Sequence, residues 1–436
     1  MGLRCIRRFV GVGLALGAVC SPVYAAGAGK VDTGDTAWVL ISTALVMLMT
    51  PGLGLFYGGM VRRKNVLGTI LQSFVMAGVI GVQWIVYGYS LAFGPDIGHL
   101  VGSLAWVGLK GVGAAPNADY AATIPHQAYM IYQAMFAVIT PALITGAFAE
   151  RMRFKSFLIF SVLWATFVYD PVAHWVWGMG GWLRNLGALD FAGGTVVHIC
   201  SGTAALTCAL VMGRRKGYGR EDMKPHNLTM TITGAAVLWF GWFGFNAGSA
   251  LGANGLAVNA LVVTNTAAAA GALSWLFIEW WHHGKPTALG VASGAVAGLV
   301  AITPASGFVG PLAAIVIGAV VSVVCYSAIM IKGRLGYDDS LDVFGVHGVG
   351  GVWGAVATGI FACKLINPSG ENGLLYGNPK LVLIQMTAVL AVCAYSFAMT
   401  FILLKLTNTL SPLRINHGDE EMGLDIAEHG EVGYAL

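Results

Sequence analysis

The sequence predicts an all-α polytopic membrane protein with eleven transmembrane helices, arranged as a 5+5 inverted repeat followed by a C-terminal helix. Of its 436 residues, 57% are hydrophobic and only 10% are charged, with a mean hydropathy of +0.73. Soluble domains carry about 25% charged residues, so this chain has too few to cover a water-facing surface. Long apolar runs recur without the alternation of a membrane β-barrel. Two similar segments, each with one histidine, lie five helices apart.

Eleven apolar windows of about 20 residues are the candidate transmembrane helices, numbered here as spans 1 to 11. Helices are required because lipid cannot satisfy free backbone N–H and C=O groups. The eighth window is short, and its ends are poorly marked in the sequence. The predicted spans cover residues 37–60, 66–93, 126–149, 156–177, 191–212, 228–250, 257–281, 287–303, 310–331, 344–363 and 381–406.

The first 25 residues have the three-part pattern of a cleaved secretory signal peptide. Arg4, Arg7 and Arg8 precede an apolar run at residues 9–19, and residues 23–25 form a small-residue cleavage site. The alternative is a retained first transmembrane helix, which N-terminal sequencing would distinguish. We therefore expect a signal peptide at 1–25, a transmembrane domain at 26–406 and a cytoplasmic regulatory tail at 407–436.

The distribution of lysine and arginine predicts the orientation of the chain. With the mature N-terminus outside, 16 basic residues fall on the inner side of the membrane and five on the outer side. This split agrees with the positive-inside rule. It predicts a protein of the cell inner membrane with a periplasmic N-terminus and a cytoplasmic C-terminus. The net charge of +4 therefore reflects topology and does not indicate nucleic-acid binding.

Two segments of the chain have similar sequences. Asp190-Phe-Ala-Gly-Gly-Thr-Val-Val-His198 opens span 5, and Asp342-Val-Phe-Gly-Val-His347 opens span 10. A five-helix unit that is repeated once must be inverted in the membrane, which places a substrate site near the midplane. His198 then lies ~12 Å and His347 ~8 Å inside opposite entrances. Paired ionisable groups at matching depths favour a functional pathway over isolated structural hydrogen bonds.

The two aspartates have a structural interpretation. A carboxylate at a helix start accepts backbone N–H groups and complements the positive end of the helix dipole. We expect Asp190 and Asp342 to orient the histidine-bearing helices in this way, and Asp190 can also lend negative potential to the outer mouth. Of the 61 glycines, six lie close to the two histidines, which predicts a close approach of spans 5 and 10. They are Gly193, Gly194, Gly345, Gly348, Gly350 and Gly351.

Other polar groups in the spans give no chemical motif. Asp170 and His174 are one turn apart near the outer end of span 4, a spacing that allows a local hydrogen bond, and we interpret them as structural. The histidines have no third metal ligand at helical spacing, and there is no nucleophile motif. The sequence therefore predicts no metal, no cofactor and no enzymatic activity.

Five blocks of the sequence resemble the ammonium transporter (Amt/Rhesus) family in its bacterial form, and together they cover nearly the whole mature chain. The resemblance implies a homotrimer with one pore through each subunit. It predicts ammonium/ammonia as the substrate and a role in nitrogen utilization. The blocks are Phe56-Tyr-Gly-Gly59, Phe148-Ala-Glu-Arg151, Asp190-Phe-Ala-Gly-Gly-Thr-Val-Val-His-Ile-Cys-Ser-Gly-Thr-Ala-Ala-Leu206, Trp242-Phe-Gly-Phe-Asn-Ala-Gly-Ser249 and Asp342-Val-Phe-Gly-Val-His-Gly-Val-Gly-Gly351.

The resemblance also implies roles for individual residues. Trp177 and Phe136 resemble the aromatic walls of the family's outer ammonium site, with Ser249 as its hydroxyl acceptor. Tyr132 stands where phenylalanine is common in that site. Phe136 is also similar to one of two stacked phenyl rings that gate the pore. The second ring is Phe245, and the twin histidines of the pore are His198 and His347.

The chemistry of ammonium agrees with these assignments. Aromatic faces attract small cations by about 0.5 to 2 kcal/mol, and a serine hydroxyl accepts an N–H bond. An apolar interior excludes a bare cation but admits neutral ammonia. Burial favours neutral histidines, so one ring can donate while its partner accepts. Electrogenic ammonium transport and passive ammonia conduction both fit the sequence.

The C-terminal tail is the last feature of the sequence that carries a prediction. Residues 423–431 resemble the family's C-terminal motif, which docks on the cytoplasmic face, although an acidic tail of this kind can also be disordered. By resemblance, a PII-type signal-transduction protein is a possible partner there.

A membrane ammonium sensor on the same scaffold is the alternative function, although such sensors usually need an appended signalling domain. A membrane hydrolase is the least favoured class.

Overall fold

A computed structural model describes residues 30–435 of the chain, so the predicted signal peptide at 1–25 lies outside the described residues. Within the described range, ten helices are long and apolar enough to cross a membrane. The fifteen-residue helix at span 8 brings the bundle to the eleven helices predicted. The spans are Thr33–Met60, Arg63–Phe93, His126–Ala147, Phe154–Leu186, Gly194–Met212, Leu228–Ala250, Gly255–His283, Ala288–Ile302, Pro311–Leu335, Phe344–Phe361 and Lys380–Leu410.

Span 8 is rich in small residues and lies inside the bundle, since nine of its fifteen residues are glycine, alanine or serine. Its side chains are buried from Val296 to Ile302. A Cβ on Gly298 would collide with the backbone of Ala267 in span 7. Helix backbones that approach this closely in a membrane require small residues at the contact.

The two ends of the bundle have different coverings. One end, here called the loop face, carries residues 94–125, which contain a short hairpin of Asp96–Ile97 with Val101–Gly102 and a pair of strands, Pro116–Asn117 and Ala121–Pro125. The opposite end, here called the tail face, carries residues 411–435. The N-terminus of span 1 lies at the loop face, because the Asp32 N–H donates to the Thr123 carbonyl.

The C-terminal tail is folded against the tail face and includes the short helices His417–Met422 and Leu424–His429. Asp425 accepts the Leu67 and Gly68 N–H groups at the start of span 2, at 3.1 and 2.8 Å. Glu428 accepts the Phe154 N–H at the start of span 4, at 3.0 Å. Carboxylates at these positions complement the helix dipoles. The tail is therefore docked in this structure, as the family resemblance implies.

Four spans contain a single π-helical turn. The turns are Trp84–Gly88 in span 2, Ala165–Tyr169 in span 4, Gly194–Ile199 in span 5 and Phe344–Gly348 in span 10. Such turns are rare and occur frequently at functional sites. Those in spans 5 and 10 contain the two predicted histidines.

Spans 5 and 10 run in opposite directions and cross next to these π turns. A Cβ on Gly202 of span 5 would collide with the Gly348 backbone of span 10, and one on Gly351 would lie 3.1 Å from the Cβ of His198. The close approach expected from the glycine pattern is therefore confirmed at Gly348 and Gly351. By contrast, Gly194 packs against Pro304.

The carboxylates at the starts of spans 5 and 10 behave differently. Asp190 accepts four backbone N–H groups, from residues 193 to 196, at 2.7 to 3.1 Å, so its predicted capping contacts are present. Asp342 accepts no backbone N–H within residues 30–435, and its Oδ1 lies 2.5 Å from Lys332 Nζ. Asp339 accepts the Phe344 N–H at 2.8 Å instead. The expectation that Asp342 caps span 10 is therefore wrong, because residues 338–342 form a tight loop that turns Asp339 inward.

Candidate substrate channel

A line of cavities passes through the bundle between the two faces. A recess opens at the loop face and is lined by Phe136, Trp177 and Ser249, among others. A narrow apolar cavity lies deeper and contains both histidines. A third cavity shares His347 with the second and continues toward Asp342 at the tail face. The predicted site residues are thus brought together from distant parts of the chain.

The loop-face recess presents an aromatic wall. The Trp177 indole N–H donates to the Asp190 carbonyl at 2.8 Å, which fixes the orientation of the ring. The Phe136 ring meets it edge to face, with ring centroids 5.8 Å apart. Ser249 stands across from them, and its hydroxyl donates to the Phe245 carbonyl at 2.9 Å. The lone pairs of the Ser249 oxygen are then available to accept a bond from a cation in the recess.

Tyr132 differs from the prediction. Its side chain is completely buried behind Ser249 and does not line the recess. Its hydroxyl lies 2.8 and 2.9 Å from the Gly244 and Phe245 carbonyls and 3.2 Å from Ser249 Oγ. The expectation that Tyr132 forms part of the binding wall is not supported by this placement. The tyrosine hydroxyl bonds to the carbonyls at the end of span 6 and holds the side chain away from the recess.

Tyr129 occupies the wall position that sequence comparison with the family assigned to Tyr132. It lines the recess one helical turn before Tyr132, together with the amide of Gln133. Asp119 and Arg184 also line the recess and give it one charge of each sign. The sequence holds no local signal for these residues, since Asp119 comes from the loop before span 3 and Arg184 from the short helix Trp182–Leu186 at the end of span 4.

Two phenyl rings separate the recess from the apolar cavity. The ring centroids of Phe136 and Phe245 are 4.4 Å apart with an interplanar angle of 42°. Both side chains are about 1% exposed. The rings are in contact, so passage between the recess and the cavity requires at least one ring to rotate.

His198 and His347 face each other in the apolar cavity. Their Nδ1 atoms are 3.3 Å apart, and the rings are nearly parallel, with centroids separated by 5.3 Å. A hydrogen bond between two Nδ1 atoms needs one donor and one acceptor, which two neutral imidazoles provide. His198 Nε2 is buried and has no hydrogen-bond partner in the described part of the chain. That nitrogen is therefore available to a molecule in the cavity.

Trp242 is a cavity residue to which the sequence assigned no role. Its ring stacks on His198 with an interplanar angle of 24°, and its indole N–H donates to Thr303 Oγ1 at 2.9 Å. The other lining groups are mainly aliphatic and aromatic. The cavity has room for about one water-sized molecule.

Asp170 and His174 do not bond to each other as predicted. Asp170 accepts the Gln83 amide N–H of span 2 at 2.8 Å. The His174 ring nitrogens lie 3.0 Å from the Ala92 carbonyl and 2.9 Å from Asp96 Oδ1. Both residues are structural, but they connect span 4 to span 2 and its following loop.

These features define a multi-pass membrane protein with an aromatic recess at one face, a narrow apolar cavity that holds a histidine pair, and two touching phenyl rings between them. The model that describes the Ammonium Transporter Family matches residues 37–434. An ammonium transporter of Bacillus subtilis is 53% identical over 92% of this chain and 98% of its own length. The chain belongs to the ammonium transporter family.

Solved structures agree with this membership. The crystal structure of Saccharomyces cerevisiae Mep2 is similar with a TM-score of 0.84 and 38% identity, covering 89% of each chain. A structure described as "Sensor Amt Protein" is similar with a TM-score of 0.83 and 28% identity, covering 91% of this chain and 98% of that one. The membership supports ammonium transport as the function.

Proposed function

We propose that the protein is a selective ammonium/ammonia transporter that binds ammonium at the loop-face recess, removes its proton and conducts ammonia past the histidine pair. The observation that carries this proposal is the succession of the recess, the two rings and the histidine cavity, because Phe136 lines the recess, Phe245 lines the cavity and their rings touch. A recess for a cation and a cavity for a neutral molecule are thereby separated by a closed apolar barrier.

The recess suits ammonium for two physical reasons. The faces of Trp177 and Phe136 provide cation–π attraction of about 0.5 to 2 kcal/mol each. Ser249 Oγ provides an acceptor for one N–H, because its own proton is donated to the Phe245 carbonyl. Tyr132 acts indirectly in this proposal by holding Ser249 and the end of span 6 in place.

The apolar cavity enforces the loss of the proton. A bare cation in a water-poor cavity of this size is strongly disfavoured, whereas neutral ammonia is not. Potassium has no proton to lose and is excluded at the same barrier. The Phe136 and Phe245 rings, which touch at a centroid distance of 4.4 Å, form the gate between the two compartments.

The histidine pair then receives ammonia as a hydrogen-bonding molecule. His198 Nε2 is the unpartnered atom in the wall, and the Nδ1 to Nδ1 contact of 3.3 Å links it to His347. Such a linked pair can relay a proton if His198 takes up a proton at Nε2, passes its Nδ1 proton to His347 Nδ1, and His347 releases its own proton from Nε2, so that both rings are neutral before and after the transfer. This supports a route for the proton that is separate from the path of ammonia and gives net charge movement.

The cellular arrangement follows from the sequence. We propose that the loop face is periplasmic and the tail face is cytoplasmic in the inner membrane, which agrees with the basic residues near the tail face. The protein assembles as a homotrimer with one channel in each subunit. The docked tail at residues 411–435 is the surface proposed for a PII-type signal-transduction protein.

A membrane ammonium sensor is the second candidate, because one similar structure is described as "Sensor Amt Protein". A sensor requires the recess but does not require a continuous path for ammonia. The two functions therefore differ in whether substrate crosses the bilayer. For a transporter, the rate of crossing also changes when the gate is altered.

Solid-supported membrane electrophysiology on proteoliposomes tests the proposal. Ammonium pulses are expected to evoke a current, and equal potassium pulses are not. His198→Ala and His347→Ala are expected to remove the ammonium-selective current, whereas His282→Ala, an exposed histidine bonded to Tyr326, is the matched control and is expected to leave it unchanged.

Two further outcomes separate the alternatives. Alkalinisation of the vesicle interior without a current would support passive ammonia conduction and would exclude the proton relay. A correctly folded trimer that binds ammonium but gives neither current nor pH change would support the sensor function.

A further inference from the structure

The segment Asp170–Trp177 of span 4 carries the indole of the recess at its last residue. It follows the π turn Ala165–Tyr169, and it is attached to span 2 by two polar contacts. Near the recess, His174 reaches the Ala92 carbonyl and Asp96. Seven residues before Trp177, Asp170 reaches Gln83, which is the last residue before the π turn of span 2.

Asp170 has very little to support a negative charge. The residue is completely buried. Its Oδ2 accepts the Gln83 Nε2–H at 2.8 Å, but its Oδ1 has no hydrogen-bond partner among residues 30–435. Removing an isolated carboxylate from water costs several kcal/mol even after relaxation. If Asp170 were ionised, only one hydrogen-bond donor of the described chain would stabilise its two carboxylate oxygens against that cost.

No basic side chain is paired with Asp170 in the described part of the chain. The Tyr169 hydroxyl is buried and is also without a partner among residues 30–435. His174, one turn away, has its two ring nitrogens on the Ala92 carbonyl and the Asp96 carboxylate, so a positive charge on that ring is paired with Asp96 and not with Asp170.

The Gln83 amide also has a buried oxygen, Oε1, that lacks a hydrogen-bond donor among the described residues. The amide lies against the backbone of Gly88, where an added Cβ would be 2.6 Å from Oε1 and 2.7 Å from Nε2. Two facing groups are therefore each left with one unpaired acceptor, and a single proton placed between them satisfies both.

We propose that Asp170 is a neutral carboxylic acid whose Oδ1–H donates to Gln83 Oε1, so that the two side chains form a cyclic acid–amide pair. The pair ties span 4 to span 2 between their π turns, where each helix has an interrupted hydrogen-bond ladder. Trp177 lies two helical turns further on, ~10 Å along the axis. Asp170 is thus a positioning residue for the aromatic wall of the recess.

Infrared difference spectroscopy of the reconstituted protein at neutral pH tests the protonation directly. The wild-type protein is expected to show the C=O stretching band of a buried protonated carboxyl group, which Asp170→Asn abolishes. Asp222→Asn, an exposed aspartate on the tail face, is the control and is expected to retain the band. A wild-type spectrum without a band that depends on Asp170 would overturn the proposal.

Transport measurements test the positioning role. Asparagine mimics the neutral acid, so Asp170→Asn is expected to keep the KM for ammonium within about twofold, whereas Asp170→Ala is expected to raise it about tenfold with a smaller change in the maximal current. Gly88→Ala displaces the Gln83 amide without altering Asp170 and is expected to raise the KM similarly. A loss of response in Asp170→Asn equal to that in Asp170→Ala would show that the charge is needed and would overturn the proposal.

The positioning role rests on the proposed function, but the protonation of Asp170 does not. If wild-type protein gives no ammonium response, the proposed transport function fails while the infrared band still decides the state of Asp170. If Asp170→Ala does not fold, wild type and Asp170→Asn provide the infrared comparison, and Gly88→Ala provides the KM comparison.

Discussion

Replacing Asp190 distinguishes a helix cap from a simple negative charge near the recess. Its two oxygens accept four backbone N–H groups at the start of span 5, and its carbonyl accepts the indole N–H of Trp177. Asp190→Asn keeps one oxygen but turns an NH2 group toward two of the four donors. Asp190→Ala removes both oxygens. A role through charge alone predicts equal losses for the two variants, whereas capping predicts a larger loss for alanine.

The structure gives the size of the difference. A buried donor left without an acceptor costs about 1 to 3 kcal/mol. Asp190→Asn leaves two such donors, so we expect the free energy of unfolding to fall by about 2 to 6 kcal/mol. Asp190→Ala leaves all four, which doubles the expected loss, and water that enters the vacated space reduces both figures.

Denaturant unfolding of the purified protein in detergent measures these losses, and the ammonium-evoked current in proteoliposomes measures the effect on the recess. Asp342→Asn is the matched control, because Asp342 accepts no backbone N–H in the described chain and its contact with Lys332 is partly exposed. We expect the control to change stability by less than about 1 kcal/mol. Equal losses for asparagine and alanine at position 190 would refute the capping argument.

Three other predictions test different parts of the fold. Arg215→Ala breaks a two-point buried pair with Asp338, in which both N···O distances are 2.9 Å, and should lower the free energy of unfolding by about 3 to 5 kcal/mol in the same assay. Gly202→Ala adds a Cβ against the backbone of span 10 and should cost about 1 to 3 kcal/mol, whereas Gly81→Ala, which meets no atom within 4 Å, should not destabilise the protein. Burial raises the pKa of the Asp339 carboxyl to about 6. Because this pKa exceeds the unfolded value of about 4, its contribution to stability is complete below pH ~4 and is lost as the pH rises through ~6. Asp339→Asn should therefore flatten the pH dependence of thermal unfolding across this window, and an unchanged pH profile would contradict the assignment.

The helices and the histidine pair were predictable from the sequence because both depend on local patterns. Apolar windows of about 20 residues locate membrane helices, since lipid imposes that length. His198 and His347 are conspicuous because ionisable groups are rare inside such windows. Their spacing, five spans apart, was sufficient to predict that they approach from opposite directions. The order of the cavities along the channel required the structure.

The features that the sequence did not reveal depend on contacts between distant segments. Asp339, and not Asp342, caps span 10 because of how a five-residue loop turns. Tyr132 is withdrawn from the recess by carbonyls at the end of span 6, more than 110 residues later. The pairing of Asp170 with Gln83 across 87 residues has no local pattern at all. A one-dimensional pattern identifies which residues are unusual, but their partners are set by packing.

The docked tail links the two ends of the molecule thermodynamically. Asp425 holds the start of span 2 and Glu428 holds the start of span 4, the same spans that are joined by Gln83 and Asp170. A ligand that binds only the detached tail must compete with those capping contacts, so its affinity reports how firmly the helices are held. A molecule in the recess whose binding shifts spans 2 and 4 must therefore change the affinity of the tail for that ligand. By reciprocity, the ligand of the detached tail changes the affinity of the recess by the same factor.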